Sequence, residues 1–134
     1  MKEITDLTEE EADWIAGHVA TLDRLDIELD PAVLDAYLER AHQGATGTSS
    51  EATPVVNLVG AGIGQILVDR LGLRWVAVSD KHGDRLGLYG DAKKTLVFPI
   101  DAVARRWDGK PGSLTRYVAE TVATIQQLRA PKAS

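Results

Sequence analysis

The residues of this chain best suited to chemistry are three aspartates and an arginine in its second half. Asp80 and Asp84 bracket a turn sequence, and Asp101 and Arg106 follow on one short stretch. Carboxyl groups held close together can share acid and base work when burial pushes their pKa values apart. An arginine beside them can grip a carboxylate or phosphate through two parallel hydrogen bonds. The same residues have plainer uses. Aspartate at a turn accepts from the local backbone, and aspartate after Pro99-Ile100 can cap the next helix. Arg105 and Arg106 end a short helix, where cations complement the dipole, and Arg74 and Arg85 on neighbouring strands can pair with nearby acids. The local uses are the expected ones.

Other candidates are weaker. Gly60-x-Gly62-x-Gly64 suggests a phosphate-cradling loop, but a dinucleotide fingerprint needs GxGxxG between a strand and a helix opening, and no Gly-Lys-Ser/Thr follows. Close helix packing is the expectation there. His18, His42 and His82 fall on different elements without a second ligand at helical or strand spacing, whereas zinc draws three or four. His82 reads as a solvated turn residue and His18 as the edge of an apolar stripe. Gly112-Ser113-Leu114 lacks the nucleophile elbow of a serine hydrolase. No catalytic residue, metal ligand or cofactor-binding residue is expected.

The elements that would position these groups can be read from caps and periodicity. Thr8-Glu9-Glu10-Glu11 is a capping box opening a helix whose apolar stripe is Ile15, Val19 and Leu22, flanked by Trp14, His18 and Leu25. Asp30-Pro31 opens a second helix, with Val33, Leu34, Tyr37 and Leu38 on its inner face and a stop near Gly44. Gln43 to Pro54 reads as a flexible loop. Val55 to Arg70 has one polar stripe (Asn57, Ala61, Gln65, Asp69) on an otherwise apolar wheel, which makes it a central helix. Its three interior glycines each cost about 1 kcal/mol against alanine, so packing must offset them.

After Gly72 the period changes to alternation. Leu73–Ser79, Arg85–Tyr89 and Thr95–Phe98 read as strands joined by turns at Asp80–Asp84 and Gly90–Lys94. Connections this short allow only an antiparallel meander. Apolar residues at both parities of the first strand predict cover on both faces. A short helix through Val103, Ala104 and Trp107, a turn at Asp108–Gly112 and a Ser113-capped helix complete the chain, and Ala130–Ser134 should fray. The expectation is one α+β domain over residues 1–134, a three-stranded antiparallel meander packed with about five helices.

Composition narrows the function classes. The 134 residues, 44% hydrophobic and 26% charged, suit a globular domain that can build its own core. Without cysteine there is no disulfide, thiolate nucleophile or thiolate-bound metal, which accords with a cytoplasmic protein. A net charge of −5 argues against nucleic-acid or anionic-membrane partners. No apolar stretch is expected to reach the ~18–20 residues of a membrane span, and the polar N-terminus does not read as a secretory signal. Trp14, Trp75 and Trp107 read as core or core-edge residues, not a base-stacking platform.

Three segments carry a family resemblance: Gly60-x-Gly62-x-Gly64-Gln65, then Leu71-Gly72-Leu73-x-Trp75-Val76-x-Val78-x-Asp80-x-x-Gly83, and Val97-Phe98-Pro99-Ile100-Asp101-x-Val103-x-x-Arg106. Together they resemble the bacterial domain-of-unknown-function family DUF3806 over about the last two-thirds of the chain. The resemblance implies a small cytoplasmic α+β domain and brings no catalytic assignment to Asp80, Asp101 or Arg106.

Two functions follow as expectations. The first is a non-catalytic binding or protein-interaction module, engaging a protein partner or a second copy through a sheet edge. Thr95–Phe98 and Arg85–Tyr89 would supply the edges, beside a surface patch of Trp, Tyr and Leu. The alternative is a small-ligand receptor or hydrolase-like enzyme, with Asp80, Asp84, Asp101 and Arg106 converging on a pocket under the 43–54 loop.

Overall fold

Capping chemistry sets the helix starts. A computed structural model describes residues 2–44, 49–90, 95–109 and 111–130, with residues 49–51 described by backbone alone. In α1 (Glu9–Arg24) the box is closed in both directions: Glu11 N–H donates to Thr8 Oγ1 at 3.2 Å and Thr8 N–H to Glu11 Oε1 at 2.9 Å. In α2 (Pro31–Gln43) Asp30 Oδ2 accepts from Ala32 N–H and Val33 N–H at 3.1 and 3.2 Å. In α5 (Leu114–Arg129) Ser113 Oγ accepts from Arg116 N–H at 3.1 Å. A second cap at that end comes from far along the chain. Asp35 Oδ1, on α2, accepts from Leu114 N–H at 2.9 Å and ties two helices together through a group that would otherwise lack a partner.

The central helix α3 (Ser49–Leu71) is longer than expected. Residues 49–54 belong to it rather than to a loop, and Pro54 sits inside it, in the second turn. Proline's fixed φ is helical, so the departure costs one ladder donor and not the helix. Gln43 ends α2 and Gly44 caps it, so of the twelve residues expected as a loop only 45–48 remain, outside the described residues. The helix stops at Gly72, whose φ of 66° is a left-handed conformation suited to glycine, with its N–H donated to Val68 O at 2.8 Å.

Residues Ala52–Leu71 do reach membrane-span length and hydropathy, contrary to the sequence expectation, yet 56% of that window is buried in the domain. Val59, Ala61, Ile63 and Leu67 have no exposed surface, which identifies a core helix. The glycines explain how it is enclosed. A Cβ on Gly60 would lie 2.7 Å from Ile100 Cα, one on Gly62 2.8 Å from Leu22 Cδ1, and one on Gly64 would overlap the Trp75 ring. The expected close-approach ridge is present, with a different element against each glycine.

The sheet is an antiparallel meander, as expected, but with a fourth strand. Its order is β1 (Glu3–Asp6), β2 (Arg74–Asp80), β3 (Gly83–Gly90), β4 (Thr95–Val97). The N-terminal strand pairs Glu3 with Ser79 and Asp6 with Val76. Val76 and Val78 are 0% and 1% exposed while Trp75, on the opposite face, packs against the main core, so the middle of β2 is covered on both sides. The hairpin turns through Lys81-His82 and closes at Gly83, where φ is 106°. Residues 91–94 and 131–134, expected as a turn and a fraying end, lie outside the described residues. The α4 helix (Pro99–Trp107) lies over α3, completing five helices around the sheet.

Candidate functional site

Of the four residues singled out for chemistry, the fold brings two together, through a residue outside that set. Arg85 on β3 donates from Nη2 to Asp80 Oδ2 at 3.1 Å and from Nη1 to Asp101 Oδ2 at 2.8 Å. Its guanidinium lies 3.9 Å from the centroid of the Phe98 ring. The local structure requires each part. Gly87 leaves room for that ring, since a Cβ there would stand 3.0 Å from Phe98 Cε1. Phe98 then turns the chain into α4, which carries Asp101 in its first turn, where a negative charge suits the dipole.

Asp101 is therefore not the N-cap of α4. Phe98 holds that position without a side-chain hydrogen bond, and Asp101 is instead half of a clamp. Asp80 keeps its expected turn role as well, accepting from His82 N–H through Oδ1 at 2.8 Å. That backbone donor, followed by Arg85, holds the Asp80 carboxyl below the ordinary aspartate value against the opposing effect of partial burial. Arg85 is raised chiefly by its bond to Asp101. Both carboxylates are thus paired with one arginine, which suits a strut between β3 and α4.

Asp84 and Arg106 do not join them. Asp84 is exposed and lies opposite Ser79 in the register. Arg106 donates to Ala102 O at 2.9 Å, within its own helix, and lies over the Tyr117 ring at 4.9 Å. Arg74 covers Tyr89 in the same manner at 5.2 Å. The histidines are equally dispersed: His18 bonds Trp14 O at 2.8 Å, His42 meets the Trp107 ring edge-on, and His82 is exposed in the turn. No group of three or more His, Asp and Glu side chains fit to hold a metal occurs among the described residues.

An apolar concavity lies elsewhere. A cleft of about 750 Å³ runs between α1, the α1–α2 connection, α3 and β2. Ala12, Ala16 and Ala20, on one face of α1, form its open wall, Ile15, Val19 and Trp75 line it more deeply, and Asp23 and Glu28 are its only charged residues among the described ones. The indole Nε1–H of Trp75 has no acceptor among the described residues but is itself buried, so the cleft meets the ring and not the donor. A second groove of about 430 Å³ lies between β4, α4 and α5 and includes Asp101, Arg105 and Glu120. Beside it, burial raises the Tyr117 hydroxyl above its ordinary value. Asp80, Asp84 and Arg106 line neither cavity, and neither do described residues of the 43–54 segment.

The sheet ends in two edges. Thr95–Val97 is one, as expected; the other is β1, all four of whose residues are exposed. Arg85–Tyr89 is not an outer edge, because β3 is interior and Leu88, Tyr89 and Gly90 pair with β4. Among the described residues the exposed large apolar ones are Ile4, Leu25 and Leu29, rather than tryptophans and tyrosines. Leu25 left the α1 stripe because it caps the helix and stands 53% exposed. The 750 Å³ cleft was missed from sequence because its open wall is alanine, which periodicity arguments treat as neutral.

Compared with known proteins, a family model described as a domain of unknown function (DUF3806) matches residues 35–116. No curated protein and no solved structure shows a significant match to the chain.

Proposed function

The chain belongs to the bacterial DUF3806 family, and, with no activity to carry over from it, we propose that the domain is a non-catalytic module that binds a protein partner on its β1–α1 side. The observation that carries this reading is the apolar cleft. At about 750 Å³ it falls within the range of binding sites, yet its wall offers contact surface and, among the described residues, no nucleophile beside a base. The exposed Leu29 lines it, and β1, an outer strand of the sheet, ends one residue before Leu7 in its wall, features that serve recognition. The polar constellation Asp80–Arg85–Asp101 joins β3 to α4. A cytoplasmic setting, where a cysteine-free chain has nothing to oxidise, belongs to the same proposal.

The test is site-specific photocrosslinking in the native host. A crosslinking residue replacing the exposed Ala16 should yield a discrete protein adduct, and one replacing the exposed Ala123 on α5 should not. Equal or absent adducts at the two positions would refute a binding face on the α1 side.

A further inference from the structure

The distribution of charge says what kind of partner the cleft would take. Residues 1–35 contain eleven Asp and Glu against Lys2 and Arg24, a net charge of −9, whereas residues 36–134 contain nine acids against thirteen bases. The acidic segment runs from β1 through α1 and the α1–α2 connection into the first turn of α2, and α1 with the connections on either side of it forms most of the cleft. Arg24 points along its own helix to Thr21 Oγ1 at 2.8 Å, and no lysine or arginine lines the cleft among the described residues. An apolar trough with acid alone at its rim is complementary to an apolar face flanked by cations.

Shape points the same way. Ala12, Ile15, Ala16, Val19, Ala20 and Asp23 are one stripe of α1 at helical spacing, about 16 Å long at 1.5 Å per residue. Alanines at three successive turns leave space for another backbone to lie alongside, at the close end of the 8–10 Å interaxial range. Asp23 ends the stripe and Glu28 faces the same hollow from the connection, so both charges sit at one end.

We propose that this cleft receives an amphipathic helix of a partner protein, about three turns long, with leucine- or methionine-like side chains inward and lysine or arginine set against Asp23 and Glu28. The proposal rests on the binding-module reading and adds the chemistry of its partner.

The test uses the whole chain and a probe peptide. A peptide of about 18 residues, leucine on one face and lysine on the other (five turns of helix), is titrated calorimetrically at 150 mM salt, beside a counterpart with glutamate for every lysine. The lysine peptide should bind, and the glutamate peptide should bind at least tenfold more weakly. D23N combined with E28Q should weaken the lysine peptide three- to tenfold, the range for two exposed ion pairs. A16Q, which fills the open wall with a neutral side chain, should weaken it at least tenfold, whereas A123Q should not. Equal affinity for the two peptides, or binding indifferent to A16Q, overturns the proposal. So does a concentration-dependent dimer abolished by A16Q, which would make a second copy the occupant. Adducts at position 16 with neither peptide bound would leave the binding-module reading standing and reject the basic helix; failure of both experiments rejects both.

Discussion

Replacing Gly60 by alanine separates the packing account of the central helix from any account in which the glycines merely loosen it. By helix propensity alone, Gly→Ala in an interior turn stabilises by about 1 kcal/mol. The structure predicts the opposite sign at this position. The new methyl would stand 2.7 Å from Ile100 Cα and 2.8 Å from Ile100 Cγ1. Carbon atoms settle at about 3.5–4.0 Å, so α4 has to withdraw by roughly 0.8 Å or more, and backbone cannot swing aside as a side chain can. Withdrawal also loosens Ala102 and Val103, which are 6% and 0% exposed. Overpacking of this kind costs about 2–3 kcal/mol, which exceeds the propensity gain and leaves a net loss of about 1–2 kcal/mol.

The control is Gly17→Ala on α1, where an added methyl meets nothing within 4 Å and the full propensity gain should appear. At about 2.1 cal/mol/K of unfolding entropy per residue, 1 kcal/mol in a 134-residue chain corresponds to about 3–4 °C. Thermal unfolding followed by circular dichroism should therefore place Gly60→Ala about 4–7 °C below the parent and Gly17→Ala about 3 °C above it. A Gly60→Ala protein as stable as the parent, or a pair of variants that move together, would refute the close-approach reasoning.

Asp35→Ala should lower stability by about 1–2 kcal/mol in urea unfolding, because Leu114 N–H loses a cap supplied across the fold; an unchanged midpoint would show that water replaces it at no cost. Asp80 should give an acid-dependent term. Its carboxyl is held below the value of an unfolded aspartate, so its contribution is complete above about pH 5 and is lost as pH falls through the lower folded value. The stability gap between the parent and Asp80→Asn should accordingly be constant from pH 7 to about 5 and close below about pH 4; a gap that widens in acid would contradict it. Asp23→Asn should be neutral or stabilising by a few tenths of a kcal/mol, since an acid in the last turn of α1 opposes the helix dipole. A clear loss of stability would assign Asp23 a structural task.

What the sequence disclosed was local. Thr8, Asp30 and Ser113 announce their helices because a cap acts on backbone within three residues, and Gly72 and Gly83 mark a stop and a turn because their φ angles of 66° and 106° favour glycine. The ridge glycines were legible as close approaches, though their neighbours Ile100, Leu22 and Trp75 come from three separate elements. What stayed hidden depends on tertiary meeting. Glu3–Asp6 becomes a strand only by pairing with β2, since a four-residue polar run has little pattern of its own. Asp101 looks like a cap until α4 settles over β3 and offers it Arg85, sixteen residues back in the chain. Asp35 gives no sign that Leu114, seventy-nine residues on, is its partner.

The acids of the N-terminal segment divide by what the fold asks of them. Glu9, Glu10 and Glu11 occupy the first turn of α1, Asp30 caps α2, and Asp35 caps α5. Asp26 holds a φ of 56°, which aspartate tolerates better than most residues. Glu3, Asp6, Asp13, Asp23 and Glu28 have no such duty: none of these side chains forms a hydrogen bond or ion pair among the described residues, and Asp23 stands at the wrong end of its helix dipole. Local rules are most often broken where function requires it. Of these five, Asp23 and Glu28 face one hollow, on a wall of alanines that would bury more apolar area if larger residues stood there. A sequence shaped for stability alone would fill that wall and reverse those charges, so the pairing of an unfilled trough with unneeded acids is what directs the search for a partner to α1 and away from the arginine clamp.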